Sequence, residues 1–388
     1  MAGIALASEL TSRDARGAGG VRFALATAAH DPALRRLLRE SPMPGRIALS
    51  LEREPSYFAA AALEGPEHHT IIALEDGRVV AAGSVSARGR FINGRAMRVG
   101  YLGALRLAPA SRGRASILLR GYNFFRQLHE RGGPPLYLTS IFADNRPARR
   151  FLERGLSGMP NYRFLGEFVT LAIPRARAAN LSGRAARAFR RLRQAGLQVI
   201  PGSTERRAEI RDLLNRELGK YQFAPEWAES EIYAKNLRLV CAQDGTLVGC
   251  AAIWDQRAFK QSVVRGYRGS LRWARKLINA GATALGRPAL PPLGAPISHA
   301  FISHLAAPSG QPEIAEALLR SLQGAARALG VDYLTLGFDA RDARLAHLRK
   351  MFHAHEYVSR IYAVHWPDGA ALAESLEDRL LAPEVAIL

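Results

Sequence analysis

The chain has 388 residues, 48% of them hydrophobic, with 54 Lys and Arg against 34 Asp and Glu and a formal charge of +20. This length exceeds one ordinary core and predicts two domains. No run of about 20 uninterrupted apolar residues offers a membrane span, and two cysteines, Cys241 and Cys250, imply neither a disulfide framework nor a Cys-based zinc site. The basic excess is almost wholly Arg, since the first lysine is Lys220; with abundant Ala this fits the coding bias of a GC-rich bacterium, or else an anionic partner such as RNA.

In chain order, residues 1–21 mix Glu9, Arg13, Asp14 and Arg16 with glycines and lack the apolar core of a secretory signal, so they read as a flexible leader of a cytoplasmic protein. ALSLEREPSYFAAAALE (48–64) reads as a helix. TIIALEDGRVVAAGSVS (70–86) is a hairpin about Asp76-Gly77. MRVGYLGALRLAP is a strand that runs through the turn ASRGR into a helix, on one face of which Ile117, Leu118, Gly121, Phe124, Phe125 and Leu128 fall at 3.6-residue period. Gly132, Gly133, Pro134 and Pro135 stop that helix. LYLTSIF then reads as a buried strand, and Asp144-Asn145-Arg146-Pro147 opens a helix with Asn145 at its N-cap and Pro147 in the first turn. RFLGEFVTLAI closes this unit as a late strand. An Arg-rich linker helix follows over 174–196, where Arg187, Arg190, Arg191 and Arg193 form a solvated face or meet phosphates.

The second half repeats the first. YLTLGFDARDARLAHLRKMF begins at Tyr333, 196 residues after YLTSIFADNRPARRFLERG begins at Tyr137, and LVCAQDGTLVGCAAIW with Asp244-Gly245 repeats the earlier hairpin. From hairpin turn to YLT strand the first half spans 61 residues and the second 89. The excess falls on an inserted helical segment at about 255–290, with apolar spacing at Leu271, Ala274 and Ile278. The expected architecture is α/β, a mixed sheet with helices on both faces, in two copies: residues 22–173 and 197–366, followed by a tail over 367–388.

A strand feeding a helix through an Arg-rich turn of small residues is an anion site, because the free N–H groups of the first helical turn and the helix dipole converge there. At these residues the chain resembles the GNAT superfamily of N-acetyltransferases, whose acetyl-CoA pyrophosphate sits on a turn written (Arg/Gln)-x-x-Gly-x-(Gly/Ala). Arg112-Gly113-Arg114-Ala115-Ser116-Ile117 matches at the first position and has Ala and Ile at the fourth and sixth. Asn145, Ala148, Phe151, Gly155 and Leu156 match the second hallmark of that superfamily. The resemblance implies two GNAT-like acyl-CoA N-acyltransferase domains in tandem, with acetyl-CoA held by Leu105, Leu107, Arg112, Gly113, Arg114, Ala115, Ser116 and Asn145 of the first copy. Seven residues after the Asn the superfamily often has a Tyr that protonates the departing thiolate; here Leu152 stands there, and leucine has no proton to donate.

The two copies differ in chemistry. The matching turn of the second, APSGQPEIAEALL, has no Arg and carries Glu313 and Glu316 in the first helical turn, which would repel a pyrophosphate. Acyl transfer to an amine needs a neutral amine, a polarised carbonyl and a route for the proton. Glu52 and Glu54, on the second helix, which the resemblance places beside the acceptor cleft, and Tyr101, on the strand that by the same resemblance would hold the thioester, are the catalytic candidates. Asp144, Asp255, His299 and His304 are further titratable residues for which a structural role is the simpler reading. No spacing resembles a metal site or a Ser-His-Asp nucleophile. The function expected is acyl-CoA-dependent N-acylation of a small-molecule or peptide amine. Two alternatives stay open: an aminoacyl-tRNA-dependent peptidyltransferase of the Fem type, which also pairs two GNAT-like units and would bind RNA, and a non-catalytic GNAT scaffold that binds a partner. Acceptor, acyl length and oligomeric state are not legible.

Overall fold

The computed structural model describes residues 20–175, 178–232, 236–285 and 287–388; the expected leader over 1–21 lies almost wholly outside them. The first half runs β1 (Val21–Leu25), α1 (Asp31–Glu40), β2 (Ile47–Glu52), α2 (Ala61–Glu64), β3 (Glu67–Glu75), β4 (Arg78–Ile92), β5 (Arg95–Leu107), α3 (Ala115–His129), β6 (Tyr137–Phe142), α4 (Arg146–Leu152) and β7 (Asn161–Pro174). Helix α5 (Ala178–Gln194) leads into the second half. That half comprises β8 (Leu197–Pro201), α6 (Arg207–Leu218), β9 (Leu237–Ala242), β10 (Leu247–Trp254), β11 (Gln261–Tyr267), α7 (Ser270–Ala284), β12 (His299–Ala306), α8 (Pro312–Ala328), β13 (Tyr333–Asp339), α9 (Ala343–Phe352), β14 (His355–His365) and α10 (Ala370–Glu374).

Twelve strands form one sheet in the order β1-β3-β4-β5-β6-β14-β7-β13-β12-β10-β9-β8. Read from either end the order is the same: β1 mirrors β8, β3 mirrors β9, β4 mirrors β10, β5 mirrors β12 and β6 mirrors β13. The two central strands are exchanged, so β14 of the second half lies beside β6 of the first, and β7 of the first lies beside β13 of the second. β14 and β7 pair antiparallel from His355↔Ala172 to His365↔Asn161. Two halves of the same strand order therefore share one sheet, and the last strand of residues 22–173 completes the other half.

Local sequence accounts for these elements. Asp76 (φ 48°) and Gly77 (φ 75°) supply the two left-handed residues of a tight hairpin turn. Ile117, Phe124, Phe125 and Leu128 are buried from α3 against Phe23, Ala73 and Tyr137. Helix α1 buries Leu34, Leu37 and Leu38 on the opposite face of the sheet. In the second half Leu318, Leu319 and Leu322 of α8 are fully buried, and α5 lays Ala188 and Leu192 into the same core while Arg187, Arg190, Arg191 and Arg193 stay exposed. Cys241 and Cys250 are buried free thiols, each opposite a leucine across the hairpin.

The structure corrects two expectations. Residues 48–64 are not one helix: β2 and the short α2 occupy that stretch, with Arg53-Glu54-Pro55 between them. Ile47 to Glu52 extends because it pairs antiparallel with β11, from Ile47↔Tyr267 to Glu52↔Gln261. The insertion is accordingly a strand plus a helix, β11 and α7, and its strand joins the second half to the first. A partner more than two hundred residues away decided the conformation, which local periodicity cannot report.

Candidate active site

Strands β5 and β6 pair in parallel only at Gly100↔Tyr137 and Tyr101↔Leu138 and then part. Gly100 permits that approach: a Cβ there would lie 2.0 Å from the Tyr137 ring. Past Tyr101, Ala104 takes φ 50° beside a bulge between Ala82 and Ser84, and β5 turns away. One cross-link remains, Thr139 Oγ1 donating to the Leu102 carbonyl at 2.8 Å. Every residue from Leu102 to Leu107 keeps accessible surface, and Leu105 (39% exposed) and Phe142 (39%) stand open on the two strands. The gap thus has apolar walls and a β5 edge unpaired to β6 beyond Tyr101, which can pair with an extended chain as a strand would.

The gap runs to the turn before α3. Gly113 there takes φ 84° with nothing within 4 Å of where a Cβ would be, and the Gly113 and Ser116 N–H groups donate to no backbone carbonyl. Arg112, Ala115 and Ser116 are exposed, and Arg112 has no ion-pair partner among the described residues. Arg114 is otherwise engaged. Its Nη1 and Nη2 donate to Glu75 Oε2 and Oε1 at 2.9 and 2.8 Å, so it ties α3 to the end of β3. Ile117 points into the core at 2% exposure, away from the turn. Asn145 caps α4 by accepting from the Ala148 N–H at 3.4 Å, and Leu152 is a buried core residue.

On the α1 face of the sheet, side chains from several segments converge beneath the gap. Glu64 is buried and pairs with Arg53; its Oε2 lies 3.2 Å from His68 Nδ1 and its Oε1 3.7 Å from Lys260 Nζ. Burial alone would push Glu64 up, but the His68 hydrogen bond, Arg53 and Lys260 together bring it down to about 2. Burial lowers Lys260 to about 8 against the opposing pull of Glu64. Tyr101 sits deep among these groups yet keeps accessible surface, and its hydroxyl has no hydrogen-bond partner among the described residues. Burial, reinforced by Glu64 and opposed by Arg90, Arg106 and Arg53, raises its phenol far above the ordinary value, so it holds its proton throughout the neutral range.

Glu52 and Glu54 are placed elsewhere than the sequence reading expects. Glu52, at the end of β2, is buried and accepts from Ser50 Oγ and the Arg265 guanidinium; Glu54 accepts from Arg35 and, at 2.7 Å, from Arg39 Nη2. Both carboxylates are occupied in holding β2, β11 and α1 together. Glu64, His68 and Lys260 were missed because they come from three segments, and no local motif links a lysine of the insertion to a glutamate almost two hundred residues earlier. Asp144 is exposed, Asp255 pairs with Arg257, and His304 stacks on Trp227 at 4.1 Å with its Nε2 3.1 Å from the Glu231 carbonyl oxygen. Among the described residues no group of His, Cys, Asp and Glu could hold a metal ion.

The matching gap of the second half is filled. β12 and β13 pair at three positions and part, and His304 takes φ 55° where Ala104 does in the first half. Arg344, buried with Asp342, then reaches across to donate to the Ala307 carbonyl at 2.8 Å, with Tyr221 and Phe338 against its guanidinium at 5.3 and 5.2 Å. What remains is a cavity lined by Glu217, Tyr221, Leu305, Leu336, Phe338 and Glu384. Glu313 heads α8, while Glu316 is buried against His347 at 2.9 Å.

Residues 15–157 match the acetyltransferase (GNAT) family. No curated protein matches the sequence. Among solved structures the chain is similar to N-myristoyltransferase of Saccharomyces cerevisiae (9% identity, TM-score 0.56, covering 92% of this chain and 86% of that one). It is also similar to a GCN5-related N-acetyltransferase of Sphaerobacter thermophilus (13% identity, TM-score 0.50, covering 91% and 98%). At these identities the likeness is one of fold, and it spans both halves. No helix among the described residues is long and apolar enough to cross a membrane. Residues 15–157 of this chain are therefore similar to the GNAT acetyltransferases, and the second half repeats the strand order of the first.

Proposed function

We propose that the protein is an acyl-CoA-dependent N-acyltransferase that takes acetyl-CoA as donor and a small-molecule or peptide amine as acceptor, and that the β5–β6 gap is where the two meet. The observation that carries this reading is the continuity of the gap with a turn whose Gly113 and Ser116 N–H groups and whose Arg112 side chain have no partner among the described residues. In transfer the amine nitrogen bonds the thioester carbonyl carbon, the C–S bond breaks, the nitrogen loses a proton and the thiolate gains one. Tyr101, which keeps its proton, is the donor we assign. Lys260, neutral above about pH 8, accepts the amine proton, with Glu64, itself beside His68, next to it.

A longer acyl group is the second reading. Leu105 and Phe142 stand exposed at the gap, and the yeast fold neighbour carries myristoyl-CoA. No observation favours aminoacyl-tRNA as donor.

Calorimetry with acetyl-CoA and myristoyl-CoA, on the wild type and on Arg112→Ala, tests both readings. Loss of the Arg112 contact should weaken binding by about 1.5–3 kcal/mol. Equal affinity of the variant, or no binding of either thioester, rejects the proposal, and tight binding with no amine ever acylated points to a scaffold.

A further inference from the structure

The insertion of the second half carries a surface that the acyl-transfer chemistry does not use. Residues 256–312 contain eight Lys and Arg and no Asp or Glu. Within them α7 has no buried residue. Its inward side is tied to the loop that follows it, and that loop to β11: Asn279 Nδ2 donates to the Leu290 carbonyl at 3.0 Å, and Arg275 Nη1 and, from β11, Tyr267 Oη donate to the Pro291 carbonyl at 3.2 and 2.6 Å.

Its outward side carries large apolar side chains as well. Trp273 is 81% exposed and Leu277, one turn on, is 83% exposed, while the half-buried positions of the helix are Leu271, Ala274, Arg275, Asn279 and Ala282. Leu285 (58%) and Leu293 (63%) extend the display into the following loop. A surface helix normally turns its large apolar residues to the core, so Trp273 and Leu277, lying beyond the inward stripe and largely open to water, signal a covering partner. Arg268, Arg272, Lys276 and Arg287 are exposed around the patch, and among the described residues none of them is in an ion pair; the Arg272 guanidinium lies 5.3 Å from the Trp273 ring.

Charge selects the partner. A second copy meeting this face with its own would bring like charges together with no carboxylate in the segment to offset them. Nucleic acid would satisfy the cations but leave Leu277, Leu285 and Leu293 against phosphate and sugar. An anionic bilayer satisfies both sets: Trp and Leu enter the headgroup boundary while Arg and Lys meet the headgroups. We propose that α7 and the loop after it dock the protein on the surface of an anionic lipid bilayer.

The experiment is co-sedimentation of the full chain with phosphatidylcholine vesicles, with and without phosphatidylglycerol, including vesicles whose acyl chains are brominated. Trp227 and Trp366 are buried, so quenching by bromine that is lost with the Trp273 side chain reports insertion of α7. Binding should require phosphatidylglycerol and should fall about tenfold or more in Trp273→Ala/Leu277→Ala, with an unchanged thermal melt. Arg272→Gln/Lys276→Gln should weaken it with a shallower dependence on salt. Absence of binding to the anionic vesicles overturns the proposal, as does binding that survives Trp273→Ala/Leu277→Ala. Self-association in light scattering, or capture of an RNA oligonucleotide, that is lost in that double variant while vesicles go unbound, would assign the surface to a second copy or to nucleic acid instead.

Discussion

The two strand gaps of this molecule start from the same geometry and end in opposite states. Each opens where two parallel strands part after a few paired residues and a residue of positive φ, Ala104 or His304, bends the first strand away. In the first half the helix start is Asn145-Arg146-Pro147-Ala148, and two residues after its cap stands Pro147 where the second half has Arg344. In the second, Asp342 and Arg344 occupy the corresponding helix start, and Arg344 closes the gap onto the Ala307 carbonyl. A carboxylate, Glu313, heads the second helix where the first half has the unpaired Arg112. The fold offers two strand gaps, and a few side chains decide that one is open and the other is part of the core.

The exchange of β7 and β14 means that the open and the closed half cannot be separated. β14 lies between β6 and β7, and Ile361, Tyr362, Ala363 and Val364 are fully buried, contributing to the cores on both faces. Ending the chain at residue 354 should remove this strand and abolish cooperative unfolding; far-UV circular dichroism during heating, with dye binding to exposed apolar surface, checks it. A truncated chain that melts sharply and binds acetyl-CoA would mean that the first half stands alone.

Next in size is the plug of the second gap. Arg344→Ala leaves the Asp342 carboxylate buried without its counter-charge, a change that costs about 3–5 kcal/mol. Urea titration should show this loss, and Asp342→Asn/Arg344→Ala should recover part of it, because Asn still caps α9 and no charge is stranded. The opened gap should still take no thioester, since Glu313 remains, so the stoichiometry in calorimetry stays at one per chain. A second equivalent bound would show that Arg344 alone distinguishes the halves.

The sequence revealed the repeated part of this comparison better than the catalytic part. The Asp-Gly hairpins, the YLT strands, the α3 stripe and the capped helix after Asn145 are local patterns, and each stands where the sequence puts it. The turn 112–116 was legible for the same reason, although the bidentate hold of Glu75 on Arg114 was not, because it joins residues 39 apart in sequence. Glu52 and Glu54 misled because a helix was read where β11 arrives from the other half to make a strand. The cluster of Glu64, His68 and Lys260 depends on that same contact, so the error about β2 and the omission of the cluster have one cause. The strand exchange left no sequence signal at all, since β7 and β14 would show the same alternation in either half.

The cluster gives a smaller effect, on rate. Counted back from the positive-φ residue of each strand, Tyr101 corresponds to Phe301, so Tyr101→Phe makes the first half resemble the second by one hydroxyl. Because that hydroxyl has no protein partner, thermal stability should hardly change, whereas kcat should fall about tenfold to a hundredfold with CoA affinity kept. The pH profile of kcat/KM should rise through about 8, where Lys260 loses its proton, with no descending limb up to the alkaline range because burial keeps the Tyr101 phenol protonated. Lys260→Met should flatten that rise. Stability has its own signature. The folded value for Lys260 lies below its ordinary 10.5, so the unfolded chain holds more protons between the two values and this residue's contribution grows as pH climbs through that window. Glu64 acts on the acid side: its contribution is present above its ordinary 4.5 and is lost as pH falls toward about 2.

The smallest expected effect concerns the pair that holds the first turn. Arg114 and Glu75 are joined by two hydrogen bonds but are 38% and 28% exposed, and water screens such a pair so that it adds little to stability. Glu75→Gln should therefore leave the urea midpoint almost unchanged. Its effect on ligand binding has a definite sign, because the substitution removes an anion from the neighbourhood of the turn and frees the Arg114 guanidinium to swing toward a bound pyrophosphate. Affinity for acetyl-CoA should rise about threefold at low salt, and the gain should shrink as ionic strength screens the added charge. A drop in affinity would carry the opposite lesson: the Glu75 carboxylate would be holding the turn in its binding shape, and the first half would owe its open site to an ion pair as the second owes its closed one to Asp342 and Arg344.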